Sequence, residues 1–362
     1  MKITEIEVGK IAIPLKTPFI TALRRVDVAE DLVVKVHTDD GHVGYGNAPA
    51  TVVITGDSHQ SVAAAVQNVI GPKLIGMDID DREIILETIQ TAMVHNTSAK
   101  AALDIAVHDL FGQHYGLPLH RFFGGRRQRI ASDLTISVNP PDVMAADAVK
   151  AVQDGYHHLK LKVGIDSAVD FQRVAAIRQA VGPDIAIRLD ANQGWKPKEA
   201  IRLIRKMEDA NLAIELVEQP VRASDFEGLK QVTDHVDTLI MADESAFSTS
   251  DVFRLLTMRA CDLLNIKLMK AGGLGPAANI AAMADAAGVE CMMGCMLECK
   301  IGITAAAALS AGTAVITKND LDAADLMAAD PIHGGITYDG DRLVLSERPG
   351  LGIENVEGWT LF

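Results

Sequence analysis

Between residues 131 and 318, eight short apolar runs alternate with longer stretches of helical character. No other feature of the chain restricts its fold so strongly. The runs are 131–137, 158–163, 185–190, 214–218, 238–243, 262–267, 289–294 and 314–318. Helical stretches such as 165–180 and 196–210 lie between them. A βα unit buries its strand only by adding the next unit, so the repeat predicts an α/β architecture. Eight units in about 190 residues favour a closed barrel. An open doubly wound sheet usually has fewer strands and a reversal of strand order.

The ends of these runs carry the chemistry. Lys160-Leu161-Lys162 ends the second, Asp190 the third and Glu218 the fourth. Asp243-Glu244 ends the fifth and Lys267 the sixth. From Lys162 to Asp190, Glu218, Asp243 and Lys267 the intervals are 28, 28, 25 and 24 residues, each close to one βα unit. In a barrel such positions converge on the C-terminal face. Three carboxylates on adjacent strands repel unless a cation joins them. An oxygen-only donor set points to a hard ion, Mg²⁺ first and Mn²⁺ next. Glu244 competes with Asp243 for the third ligand position. Lys160 and Lys162 share one face of their strand. Lys267, four strands on, should face Lys162 across the barrel axis. Crowding of the lysines beside a metal predicts lowered pKa values, which suits a general base. A metal with Lys160 can hold a substrate carboxylate and stabilise charge as the adjacent carbon loses its proton. One base on each face then inverts that stereocentre.

The flanking segments differ in texture. Residues 1–50 read as strands, with Asp39-Asp40-Gly41 turning 31–38 into 42–47. Residues 58–115 read as helices, with Ala102, Ile105, Ala106 and Leu110 on one apolar face. This predicts a small α+β domain ending near Phe122-Phe123-Gly124-Gly125. The tail from 332 does not continue the repeat and is expected to return to the first domain. Asp320-Leu321-Asp322 follows the eighth run at the expected mouth. The pair could receive an ammonium group or cap a helix. Arg24 and Arg25 could answer a substrate carboxylate or remain solvated.

Forty-eight acidic residues against 34 basic give a net charge of −14, which argues against nucleic acid and anionic membranes as partners. Arg126, Arg127 and Arg129 read as a solvated loop. Cys261, Cys291, Cys295 and Cys299 all lie after residue 260 and read as buried thiols. The uncharged run 301–317 is rich in Ala, Gly, Thr and Ser and reads as a packed helix and strand. The N-terminus has acidic residues where a signal core would be apolar, so a cytoplasmic location is expected.

Lys160-x-Lys162, Asp190-Ala-Asn192, Glu218-Gln-Pro220, Asp243-Glu244 and Lys267 together resemble the enolase superfamily, in its muconate-lactonising subgroup. The resemblance extends from about residue 1 to 360. It is strongest to the dipeptide epimerases, in particular those acting on L-Ala-D/L-Glu. It implies a modified (β/α)7β TIM-like barrel over 126–330. An α+β capping domain would comprise 1–125 and the returning tail 331–362. Asp190, Glu218 and Asp243 would bind Mg²⁺. Lys162 and Lys267 would be the bases facing the L and D epimers, with proton transfer passing through an enediolate. Lys160 would stabilise the carboxylate, and Asp320 and Asp322 would receive the dipeptide ammonium. Arg24 matches an arginine that selects a glutamate side chain. Ile54, Thr135, Met296 and Glu298 match pocket-lining positions. The implied partner is a small dipeptide from cell-wall peptide recycling, and a homo-oligomer is compatible. Alternatives on the same scaffold are a dipeptide epimerase with another side-chain preference, N-succinylamino acid racemisation and o-succinylbenzoate synthesis. The last two suit Asp320 and Asp322 poorly, because an acylated, acidic substituent would be repelled. Two departures stand out: Asn47 where relatives commonly have Glu, and Cys295 where they often have a small hydroxyl residue.

Overall fold

A computed structural model describes residues 1–362. Eight parallel strands pair in chain order. They are Leu134–Ile136, His158–Lys162, Ala186–Asp190, Ile214–Glu218, Leu239–Ala242, Leu263–Lys267, Glu290–Gly294 and Ile316–Asp320. Seven principal helices follow the first seven strands, from Pro141–Gln153 through to Lys300–Gly312. No helix follows the eighth before the short strands of the tail. The result is a nearly closed (β/α)7β barrel. The edges of the first and last strands meet where the Asp133 N–H donates to the Asn319 carbonyl, 3.1 Å away. The helix Pro197–Asp209 shows how the layers form. Ala200, Leu203, Ile204 and Met207 are buried at helical spacing, and charged residues cover the other face.

Two of the expected strands differ in extent. The first run splits into Arg129–Ala131 and Leu134–Ile136. Ser132 and Asp133 between them turn their side chains to polar partners. The Ser132 hydroxyl accepts from the Leu321 N–H, and Asp133 pairs with Arg188. The eighth strand is 316–320, not 314–318, because the preceding helix continues to Gly312. Its polar residues stay in the strand by finding partners, Lys318 on Glu290 and Asn319 on Ser310. Asp320 therefore ends a strand, as Asp190, Glu218 and Lys267 do.

The cap is an antiparallel sheet of Ile3–Ile20, Arg25–Thr38 and Val43–Pro49, with the long helix Thr97–His114 packed on it. Gly44 and Gly46 permit that packing, since a methyl group at either would overlap the carbonyls of Ala106 or Ala102. Val8, Leu32, Val34 and Val36 from the sheet and Leu103, Val107 and Leu110 from the helix belong to a core distinct from that of the barrel. The tail strand Thr360–Leu361 pairs with the first cap strand, placing Leu361 opposite Gly9. Arg127 is not a solvated residue. Its guanidinium is half-buried and donates to the carbonyls of Ser310, Thr313 and Ile316, which fastens the linker to the end of the seventh barrel helix.

Candidate active site

The alternation of side chains along each strand sends every second residue into the barrel. Lys160, Lys162, Asp190, Glu218, Asp243 and Lys267 are all buried at its C-terminal end. Lys160 lies at the centre. Its Nζ is 2.6 Å from Glu218, 2.7 Å from Asp320 and 3.2 Å from Asp190. Lys162 donates to Asp190 at 2.6 Å and Lys267 to Asp243 at 2.8 Å. Asp243, not Glu244, faces these lysines. Glu244 turns aside to accept from Asn192 and Gln193.

Two neighbours escaped the sequence reading. Asn265 donates to Glu218 Oε1 at 2.7 Å, and Lys270 lies 2.6 Å from Asp243 Oδ1. Asn265 precedes Lys267 by two residues, so strand alternation would have found it. Lys270 lies in the one-turn helix Leu268–Ala271, too short for any periodicity to mark it.

The expectation of lowered lysine pKa values concerns lysines beside a bound ion; among the ammonium and carboxylate groups alone, Lys160 and Lys267 shift upward. Burial alone lowers the Lys160 ammonium, but Asp320, Glu218 and Asp190 together outweigh burial and hold it well above the usual lysine range. Lys267 is likewise lowered by burial and raised by Asp243, with a net upward shift. Each ammonium has a carboxylate in direct contact, which overrides crowding among the cations. Glu218 is pushed up to about 8 by burial and by the Asp190 charge, against the pull of Lys160. Asp322 rises to about 6 through burial and Asp320.

No three carboxylate, imidazole or thiol groups are arranged to cage an ion as the side chains stand, because the ammonium groups bridge the carboxylates. The donor set nonetheless fits a hard cation. Asp190, Glu218 and Asp243 are fully buried oxygen donors. Glu218 Oε2 and Asp243 Oδ1 lack a hydrogen bond of good geometry. Asp190, Glu218, Asp243, Asp320 and Asp322 make five acids, against four ammonium groups from Lys160, Lys162, Lys267 and Lys270. The excess of acids suits a further cation among them.

Above this layer lies a cleft of about 550 Å³ between barrel and cap. Lys162 and Lys267 both reach it, from the second and sixth strands. Arg24, Ile54, Thr135, Met296, Asp320 and Asp322 also line it. Arg24 is half-buried there, and burial without a carboxylate partner lowers its pKa. Arg25 instead pairs with Asp27 on the surface. Asp322 accepts from the Thr135 N–H at 2.6 Å. Phe19, Leu23, Val53 and Leu326 complete the apolar wall, and sequence reasoning did not single them out. Glu298 does not reach the wall. It is buried behind it, where it accepts from the Met296 N–H at 2.9 Å and from Asn47 at 3.3 Å. Asn47 also donates to Asp31 at 2.8 Å, so the amide that replaces the usual Glu bridges two buried acids.

Residues 3–124 match the mandelate racemase / muconate lactonizing enzyme N-terminal domain, and residues 143–358 match the enolase C-terminal domain-like family. An L-Ala-D/L-Glu epimerase of Clostridium acetobutylicum is 51% identical over 356 residues, covering 98% of this chain and 99% of the relative. A substrate-liganded L-Ala-D/L-Glu epimerase from Bacillus subtilis superposes with a TM-score of 0.97 at 51% identity, covering all of both chains. A dipeptide epimerase from Enterococcus faecalis, complexed with Mg and L-Leu-L-Tyr, gives a TM-score of 0.95 at 42% identity. That match covers 98% of this chain and 100% of the other.

Proposed function

The chain belongs to the mandelate racemase / muconate lactonizing enzyme family of the enolase superfamily, and from this we propose that it epimerises L-Ala-D/L-Glu at the Glu α-carbon. The observation that carries the reading is one cleft. It presents lysines from the second and sixth strands, an arginine without a carboxylate partner, and an acidic pair. Residues 126–330 form the catalytic barrel in this reading, with 1–125 and 331–362 as its cap. Asp190, Glu218 and Asp243 would hold Mg²⁺, and Mn²⁺ suits the same oxygen donors. The bound ion supplies Lewis-acid stabilisation of the charge that develops on the substrate carboxylate.

The chain's own groups do the rest. Asp320 and Asp322 hold the dipeptide ammonium, with the Thr135 N–H fixing Asp322. Arg24 answers the Glu side chain, while Ile54 and Met296 exclude water from around it. Glu298 supports Met296 from behind. Lys160 stabilises the reacting carboxylate. One of Lys162 and Lys267 takes the α-proton as an amine, and the other returns a proton to the opposite face as an ammonium. Lys162 faces the L epimer and Lys267 the D epimer. An acidic pair at the amino end of the pocket favours a free ammonium over an acylated substrate. Recycling of cell-wall peptides in the cytoplasm is the setting that suits such a substrate. No helix is long and apolar enough to cross a membrane.

The test is to incubate L-Ala-L-Glu and Mg²⁺ with the protein in D₂O. Deuterium should appear at the Glu α-carbon together with L-Ala-D-Glu. Absence of incorporation would sink the reading.

A further inference from the structure

Arg24 sits in a four-residue turn, Thr21–Arg24, between the first two cap strands. Such a turn, on the surface and carrying a half-buried cation, would be expected to sample many orientations. Here its geometry is fixed from two directions. Within the turn, the Thr21 N–H donates to the Arg24 carbonyl at 3.0 Å. The Thr21 hydroxyl accepts from the N–H groups of Leu23 at 3.1 Å and Arg24 at 3.3 Å. One side chain therefore organises the backbone of the whole turn.

The base of the turn is fastened to the barrel. Ser137 follows directly on the first barrel strand, two residues after Thr135. Its hydroxyl accepts from the Ile20 N–H at 3.1 Å and lies 3.3 Å from the Pro18 carbonyl, to which it donates. The Val138 N–H donates to the Ile20 carbonyl at 3.1 Å. On the other side, the Lys16 N–H donates to the Leu326 carbonyl at 2.9 Å, and the Ala328 N–H to the Pro14 carbonyl at 2.8 Å. The strand bearing the turn is thus tied to barrel loops that also carry Thr135, Asp322 and Leu326, all on the cleft wall. The regular pairing of the two cap strands is interrupted between Pro14 and Phe19, which lets this end bend toward the barrel.

We propose that Thr21 and Ser137 are positioning residues for substrate selection: they aim the Arg24 guanidinium at the acidic side chain of the dipeptide. The inference rests on the reading of Arg24 given above and extends it to two residues whose hydroxyls have no part in proton transfer. A misaimed Arg24 weakens the hydrogen-bonded contact with a carboxylate more than the contact with a neutral amide, because the charged contact is the stronger one.

The experiment compares kcat/KM for L-Ala-L-Glu and L-Ala-L-Gln in the wild type, Thr21→Val, Thr21→Ser and Ser137→Ala. The wild type should favour the Glu dipeptide. Loss of one or two hydrogen bonds should lower the Glu-to-Gln ratio by about fivefold in Thr21→Val and Ser137→Ala. Most of the loss should fall on KM for the Glu dipeptide. Thr21→Ser keeps the hydroxyl and should retain the wild-type ratio. A merely structural role would reduce active enzyme for both substrates alike and leave the ratio unmoved. An unchanged ratio in both Thr21→Val and Ser137→Ala, with the wild type selective, overturns the inference alone. A wild type that exchanges neither dipeptide, or does not favour Glu, overturns the reading of the site and the inference with it.

Discussion

The two ends of the barrel interior are built from the same strands and both bury charge, yet they treat it differently. Near the N-terminal end, Arg188 lies 2.8 Å from Asp133 and 2.7 Å from Glu215. Leu216, Met241, Leu263 and Met292 form a small apolar cluster within the same strands. Two residues further along, the same faces carry Asp190, Glu218, Asp243 and Asn265. At the base a single cation is held between two acids, which makes a structural plug. At the mouth, acids outnumber ammonium groups and two of the carboxylate oxygens lack good partners. Burial therefore does not distinguish a structural ion pair from a functional one. Nor does compensation, since at the base too acids outnumber cations and Asp133 Oδ1 lacks a hydrogen bond; the distinction is access to a cleft, which only the mouth has.

Replacing groups at the two ends should separate them, and the mouth should give the larger effect. Lys267→Ala should reduce net epimerisation by about 10²–10⁴-fold, the usual worth of a positioned acid or base. Exchange of the α-hydrogen from the L epimer should survive, since Lys162 performs it. Equal loss of exchange from both epimers would contradict the assignment of faces. At the base, Arg188→Met should instead act on stability. It leaves Asp133 buried without its cation and should cost about 3 kcal/mol, read from the denaturant midpoint. A KM change without a midpoint change would show that the plug serves the site directly.

A divalent cation should tell the ends apart more gently. Mg²⁺ at about 100 times its dissociation constant contributes about 2.7 kcal/mol to stability. Thermal melts should therefore shift upward by several degrees on adding Mg²⁺ and return on chelation. Glu218→Gln should lose the shift, whereas Arg188→Met should keep it. A shift retained by Glu218→Gln would place the ion elsewhere.

This contrast was only half visible in the sequence. The mouth was legible because strand-end residues repeat at the period of a βα unit, and Lys162, Asp190, Glu218, Asp243 and Lys267 mark five successive units. Arg188 looked out of place in an apolar run, because its partners are Asp133, just before the first barrel strand, and Glu215, on the fourth, and no local pattern points to them. The barrel was legible from its repeat. The split of the first strand was not, since it depends on Ser132 and Asp133 meeting the eighth strand and Arg188 in three dimensions. Arg24 stood out as a cation, but Phe19 and Leu326 resemble any other core residue until the fold brings them to the cleft. Sequence spacing revealed the crowding of cations but not that each would touch a carboxylate.

The junction between cap and barrel offers a third kind of buried charge, and its effect is read as a slope against pH. Burial and the nearby Asp31 charge push Glu298 up to about 8, although the Met296 N–H and Asn47 pull it down. Its ordinary value is near 4.5, so between about pH 4.5 and 8 the folded protein holds a proton that the unfolded chain has lost. Stability should fall as pH rises through that window, by at most about 1.4 kcal/mol per pH unit for this group. Above the window both states are ionised and the full penalty remains. Glu298→Gln should make the slope of stability against pH shallower by up to one proton, measured by denaturant unfolding across the range. An unchanged slope would mean that Asn47 and the Met296 N–H already keep Glu298 ionised.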